Sequence, residues 1–392
     1  MANWADLPKD LLASIARRLS DIEDFIRFRW VCCAWRSVAM KEKYLQLPCL
    51  VLSGKKESTD TLCLFSLPKG KRYEFKLPNA SKCRFFGSVH GWLLVNGVKT
   101  EEVHLLNPLT GVRIRLPNII DKDFNTKERG YWIKKATLFK TPPGCSDNEE
   151  DIVVTMIFYK TNARRWPPDG SAIIEWISID AFGRTKSLVP TGPPGDKVWT
   201  SIEAPRKRWY EDIRYFKGQL YALTRTGELD LCDTTKNVEF APEPVQKQGS
   251  SFVEPVAEKY SRYDSILVRR YLVESLGELL MVMHFRAYNP FCQKISKFEV
   301  YRMDFGTRRW VEIEGLSDRI LLMGDDYCVS LWPSDLPSAN FRGNCIYIID
   351  KHQKRDTNNE ISIYDMANGK LQSRKDPQSV LLNSITWLMP DL

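Results

Sequence analysis

"CLFSLPKGKRYEFKLP" (63–78) and "HLLNPLTGVRIRLP" (104–117) share one plan: a strand, a turn carrying Asn, Asp or Ser, a Gly or Thr, and a basic or apolar return strand. The plan recurs in "WISIDAFGRTKSLVP" (176–190), "LDLCDTTKNVEF" (229–240), "VYRMDFGTRRWVEIEGL" (300–316) and "ISIYDMANGKLQS" (361–373). Asn and Asp suit such turns because they satisfy turn amides and tolerate left-handed backbone angles. Several copies follow an earlier short strand: "HGWLLVN" (90–96), "KGQLYALT" (217–224), "LGELLMVM" (276–283) and "RGNCIYIID" (342–350). Each copy therefore reads as the outer hairpin of a small sheet.

The turn positions are Ser66, Asn107, Asp180, Asp233, Asp304 and Asp365. They lie roughly 60 residues apart on average, near the known propeller repeats with added insertions. Other runs, such as "DIVVTMIFY" (151–159) and "AIIEWISID" (172–180), are β-rich and bounded by turn formers. Long helical periodicity is absent after residue 45. A β-rich chain of this length must protect its sheet edges, and radial repetition does so. The expected fold is mainly β: a six-bladed, kelch-like β-propeller over residues 46–392, with a pair of β-sandwiches as the alternative. The copies lack the paired glycines of standard kelch units.

The chain has 392 residues, 43% hydrophobic and 11% aromatic, enough for a large core. Its net charge of +8 is spread thinly, whereas nucleic-acid binding favours a concentrated basic face. Ten cysteines and four histidines show no metal-ligand spacing, so reduced cysteines, no metal and no cofactor are expected. The charged opening residues argue against a signal peptide. The greasiest run, "LLMVMHF" (279–285), is too short for a bilayer. A nuclear or cytoplasmic protein is expected, in which the sequon at Asn79 carries no meaning.

Residues 1–45 read differently. "LPKDLLASIARRL" (7–19) places Leu11, Leu12, Ile15, Ala16 and Leu19 on one helical face. Pro8 suits a first turn, Asp10 its positive end, and Arg17 and Arg18 its negative end. "SDIE" (20–23) has the form of a capping box, with Ile22, Phe25 and Ile26 lining the helix it starts. A third segment, "RFRWVCCAWRSVAM" (27–40), sets Phe28, Val31, Cys32, Trp35 and Val38 at helical spacing. Three helices this short rarely fold alone, and they cannot hide all this apolar surface. The surplus marks an interface, or else the helices dock on the rest of the chain.

Taken together, Leu7-Pro8, Leu11, Ile15, Leu19, Asp21, Phe25, Arg29, Val31-Cys32 and Trp35-Arg36 resemble the F-box. Trp30 stands where a small or polar residue is more usual. The resemblance implies docking on a Skp-type adaptor and, through it, a cullin–RING ubiquitin ligase. It implies that Leu7, Pro8, Leu11, Leu12, Ile15, Leu19, Ile22, Phe25, Ile26, Val31, Cys32 and Trp35 form the adaptor interface or its immediate support. "DRILLMGDDYCVSLWPSDLPSANFRGNCIYIIDK" (318–351), "ISIYDMANGKL" (361–371) and "SITWLMP" (384–390) are similar to plant F-box proteins with a KIB-type β-propeller domain. That family implies a substrate receptor without catalysis of its own.

No catalytic arrangement stands out. "MGDD" (323–326) reads as a strand-ending turn, and "GPPG" (192–195) lacks the Lys and helix of a phosphate loop. Asp180, Asp304 and Asp365 recur at equivalent turns, which favours structure over glycosidase chemistry. A propeller enzyme with an axial acid pair is the alternative function, and a basic nucleic-acid-associated regulator is a third. "RRW" (Arg164, Arg165, Trp166) and "RKRW" (Arg206, Lys207, Arg208, Trp209) lie on expected insertion loops. They read either as a target-binding surface or as solvated charge. "TRRW" (307–310) fits the repeat plan instead.

Overall fold

The computed structural model describes residues 4, 7–19, 22–41, 49–54, 60–66, 71–77, 80–86, 91–97, 102–108, 111–116, 129–140, 152–162, 173–179, 185–186, 200–202, 209–232, 251–252, 266–287, 296–324, 327–336, 341–350, 360–374 and 382–388. Three helices come first, α1 (Lys9–Arg18), α2 (Ile22–Trp30) and α3 (Cys33–Lys41). Strands follow: β1 (Cys49–Gly54), β2 (Thr61–Ser66), β3 (Lys71–Lys76), β4 (Cys83–Phe86), β5 (Leu93–Gly97), β6 (Val103–Leu106), β7 (Arg113–Arg115), β8 (Arg129–Lys140) and β9 (Ile152–Asn162). Then come β10 (Ile173–Ile179), β11 (Thr185–Lys186), β12 (Thr200–Ile202), β13 (Tyr210–Phe216), β14 (Gln219–Thr224), β15 (Leu229–Cys232), β16 (Ser251–Phe252), β17 (Ile266–Ser275) and β18 (Glu278–Ala287). The last are β19 (Ser296–Asp304), β20 (Arg309–Ile313), β21 (Ile320–Met323), β22 (Cys328–Leu331), β23 (Cys345–Asp350), β24 (Glu360–Asp365), β25 (Lys370–Arg374) and β26 (Leu382–Leu388).

Among the described residues these strands form six sheets. Four run β4 to β7, β8 to β11, β13 to β16 and β17 to β20 in simple succession, with β12 also pairing β10. A fifth has the order β26-β1-β2-β3, so the last strand pairs with the first. These five are antiparallel throughout. The remaining sheet, β22-β21-β23-β24-β25, contains a parallel pair, because β21 inserts between β22 and β23. In five of the six, the outermost two strands are the hairpin that the repeated sequence plan anticipates; in the sheet β13–β16 the strand paired with β15 is Ser251–Phe252, beyond the expected return strand at 237–240, which lies outside the described residues.

Neighbouring sheets share cores, and this packing makes the ring. One core joins β1–β3 to β4–β6, another β4–β7 to β8 and β9, and another β13–β15 to β17–β19. Further cores join β17–β20 to β21–β25, and β21–β25 to β26 and β1. The last sheet thus packs on the first, which is the mainly β propeller architecture rather than two sandwiches. Trp387 on β26 is fully buried and donates its indole N–H to the Met323 carbonyl at 3.0 Å, tying the closing strand to its neighbour sheet.

The outer-hairpin turns show why Asn and Asp recur. Gly111 N–H reaches the Asn107 carbonyl at 2.8 Å, and Gly369 N–H the Asp365 carbonyl at 2.9 Å. Both glycines have positive φ, +70° and +64°. In the third case Asp304 accepts from Gly306 N–H (2.9 Å), Thr307 N–H (3.3 Å) and the Thr307 hydroxyl (2.8 Å), and Arg308 takes the left-handed place at φ +57°. The Thr307 hydroxyl, then the two N–H groups, hold the Asp304 carboxyl below the usual carboxylate range. Asp365 likewise accepts from Ala367 N–H, the Asn368 amide and the Arg342 guanidinium. "TRRW" is part of this framework, since Trp310 donates to the Gly227 carbonyl at 2.9 Å. The turns at Asp180 and Asp233, and the carboxylates of "MGDD", lie outside the described residues.

The innermost strands line up side by side, β8 with β13, β13 with β17, β17 with β22, and β26 with β4. Glu211 and Asp212 on β13 face Arg270 and Leu272 on β17, so these two strands run parallel. An innermost strand has one edge without a ladder partner. Carboxylates fill that need: Asp212 accepts Leu272 N–H at 2.8 Å and Ile213 N–H at 2.7 Å, and Glu211 accepts Arg270 N–H at 3.0 Å. Lys135 on β8 balances Asp212 at 2.9 Å, with both side chains buried.

Candidate functional site

The helical module is not an isolated appendage. Leu12 and Ala16 of α1, Phe25 and Phe28 of α2, and Val38 and Ala39 of α3 join one core with β1–β3 and the β4–β6 strands. Lys71, the first residue of β3, lies 3.6 Å from Glu23 of α2. Arg27 bridges Asp24 at 2.9 Å and Glu23 at 3.4 Å on the exposed side of α2.

The expected adaptor-binding residues divide by position. Leu12 and Phe25 are buried in the shared core, and Leu7, Ile15, Leu19, Cys32 and Trp35 are half-buried. Pro8 is exposed, Leu11 is 52% exposed and Val31 is 53% exposed. Ile22 and Ile26 lie on α2, their side chains outside the described residues, as does Ser20 of the expected capping box. Trp4 is 69% exposed. Its carbonyl accepts the Trp35 indole N–H at 3.1 Å, and Trp35 packs on Phe28 with ring centroids 4.5 Å apart.

Local chemistry explains this layout. The Pro8 carbonyl accepts the N–H groups of Leu11 and Leu12 and starts α1, while Asp10 lies in its first turn and Arg17 and Arg18 in its last. The expected third segment splits: α2 ends at Trp30 and α3 starts at Cys33. Val31 N–H bonds the Phe28 carbonyl three residues back, so the last turn tightens and Val31 swings outward at the break. Phe28 therefore belongs to α2.

The arginine–tryptophan loops have their described flanks at one end of the ring. Alternating strand directions put Asn162, Ile173 and Trp209 at the end opposite the outer-hairpin turns, where Lys71 meets α2. Arg164, Arg165, Trp166, Arg206, Lys207 and Arg208 lie outside the described residues. Trp209 is described, 38% exposed, and its carbonyl accepts Arg225 N–H at 2.8 Å.

Residues that the sequence reading passed over sit on the inner strands. Burial raises the Glu211 carboxyl above its ordinary range, against the pull of Lys134, Arg270 and Arg225. Burial lowers the Arg270 guanidinium. Both Asp212 oxygens serve backbone N–H groups, so this acid pair acts as a clasp between strands. Burial also pushes the Cys328 thiol up to about 12 and raises Cys232. No group of three or more His, Cys, Asp or Glu residues is placed to hold a metal ion among the described residues. No described helix is long and apolar enough to cross a membrane.

A closed ring of small sheets with a helical module packed against it is a β-propeller protein. Residues 64–365 match the KIB1-4 beta-propeller family, and the chain belongs to that family. Similarity to curated proteins extends over most of the chain. F-box protein SKIP23 of Arabidopsis thaliana is 26% identical, over 95% of this chain and 91% of that protein. F-box protein At2g26160 from the same plant is 25% identical, over 90% and 96%. Putative F-box protein At3g25750, also from Arabidopsis thaliana, is 26% identical over 96% and 95%.

Proposed function

We propose that the chain is the substrate-recognition subunit of an SCF-type cullin–RING ubiquitin ligase, working in the nucleus or cytoplasm. Residues 1–45 are the F-box that docks a Skp-type adaptor. Residues 46–392 are a six-bladed propeller, each sheet one blade, that recruits a target protein. The chain supplies position and no catalytic group. Ubiquitin transfer gains from holding target and ligase together.

The observation that carries this reading is the near full-length similarity to F-box proteins. Leu11 and Val31 add to it, since they stay exposed beside helix residues that are buried in the ring's core. Exposed apolar side chains of this kind are anchors in search of a pocket.

Co-expression of the full chain with a Skp-type adaptor, followed by affinity capture, tests the reading. The wild-type chain is expected to retain the adaptor. Leu11→Asp combined with Val31→Asp is expected to weaken retention by roughly 100-fold or more. Both positions are exposed, so the double variant keeps its thermal unfolding midpoint. A wild-type chain that fails to hold the adaptor, or a double variant that holds it equally well, defeats the proposal.

A further inference from the structure

The break between α2 and α3 carries two adjacent thiols. Cys32 is half-buried, Cys33 is exposed, and neither is in a disulfide. Cys33 is the first residue of α3, and the Cys32 carbonyl accepts Arg36 N–H at 3.0 Å, so the backbone here is held as a helix start. Each sulfur moves on a single side-chain torsion. By contrast, Cys49, Cys232, Cys328 and Cys345 are buried in the ring.

Adjacency decides what this pair can do. Neighbouring Cα atoms lie about 3.8 Å apart across a trans peptide. Unstrained disulfides need about 4.4–6.8 Å. A direct S–S bond would have to deform the peptide link at the start of α3, so the geometry disfavours a cyclic disulfide. An atom that bridges the two sulfurs lengthens the closure and removes that demand. Thiolate sulfur is a soft ligand, so the bridging atom must be soft, and it must be content with two protein ligands. A structural zinc takes four. A trivalent arsenical that carries one organic group takes two sulfurs.

We propose that Cys32 and Cys33 together bind a monosubstituted trivalent arsenical, and that an occupied site and a docked adaptor exclude each other. An arsenoxide, R–As=O, condenses with both thiols. The two S–H bonds and the arsenic–oxygen bond break, two As–S bonds form, and the oxygen leaves as water with both protons. Arsenic stays trivalent, so the step needs no oxidant or reductant. The exclusion follows from position. Val31, 53% exposed, precedes the pair, and half-buried Trp35 lies one turn on from Cys32. A group carried on both sulfurs sits on the chain between these two expected contact residues. The exclusion rests on the substrate-receptor reading; the chelate does not.

Mass spectrometry of the full chain with phenylarsine oxide in excess glutathione tests the site. Glutathione competes arsenic away from single thiols, whereas a two-sulfur chelate survives it. One adduct per chain is expected, on the peptide that holds both cysteines, and a competing dithiol, dithiothreitol, removes it. Cys33→Ser, at an exposed position, is expected to lose the adduct with thermal unfolding unchanged, and Cys32→Ser to lose it as well. No adduct in glutathione overturns the site, as does an adduct on other cysteines alone or a Cys33→Ser chain that keeps it. In adaptor capture, phenylarsine oxide is expected to weaken retention at least tenfold, with recovery on dithiothreitol. Bound adaptor must weaken arsenical uptake by the same factor, because the coupling is reciprocal. Unchanged retention by the adduct-bearing chain overturns the exclusion. A chain that takes the adduct but holds no adaptor even when untreated defeats the ligase reading and leaves the site. One that holds the adaptor and takes no adduct defeats the site alone.

Discussion

The helical module and the ring treat neighbouring side chains in opposite ways. On α1, Leu11 and Leu12 are adjacent in sequence, yet Leu12 is fully buried and Leu11 is 52% exposed. In the ring, β21 and β22 bury all four residues each, on both faces, and β14 buries five in succession. The ring finds partners even for its free strand edge, through Glu211 and Asp212. The helices have access to the same core and use it for Leu12, Ala16, Phe25, Phe28, Val38 and Ala39. Their exposed leucine and valine are therefore a surplus, not the residue of a core too small to hold them.

Substitutions can break this contrast. Asp212→Ala strands Lys135 and two backbone N–H groups in the interior, and a buried pair broken on one side costs about 3–5 kcal/mol. Urea unfolding should show that loss, and a loss below about 1 kcal/mol would mean that the clasp is dispensable. Leu12→Ala should cost about 2–5 kcal/mol, whereas Leu11→Ala should stay within about 0.5 kcal/mol. Equal costs at the two positions would erase the distinction between a buried and a presented face. The smallest effect concerns a place where the ring itself is not optimal. Leu276→Gly relieves a left-handed, exposed leucine but adds freedom to the unfolded chain, for a net gain of about 0.5 kcal/mol. A lower melting temperature in that variant would show that Leu276 has a contact worth more than its strain.

The sequence was legible where chemistry is local. Asn107 with Gly111, and Asp365 with Gly369, announce their turns because the turn needs both the polar residue and the positive φ. Asp304 announces its turn less fully, because arginine fills the glycine place. Helix α1 was readable from its stripe, but periodicity alone does not tell Leu12 from Leu11; that depends on where the ring stands. Glu211 and Asp212 were invisible for a similar reason, since the N–H groups they serve lie some sixty residues away. The insertion of β21 between β22 and β23 also escapes local reading, because "ILLM" and "CVSL" look like any hairpin.

The pairing of β26 with β1 has a consequence in time. Translation makes β1 early and β26 last of all the strands. Until β26 emerges, β1 lacks one neighbour, Trp387 is missing from the seam, and Leu388 is missing from the core beneath the helices. The surface that carries Leu11 and Val31 thus gains its full footing only when the entire ring has been synthesised. A nascent or truncated chain would show the same helices on an unfinished base. Completion of the ring and the full seating of the helices are in this way one event.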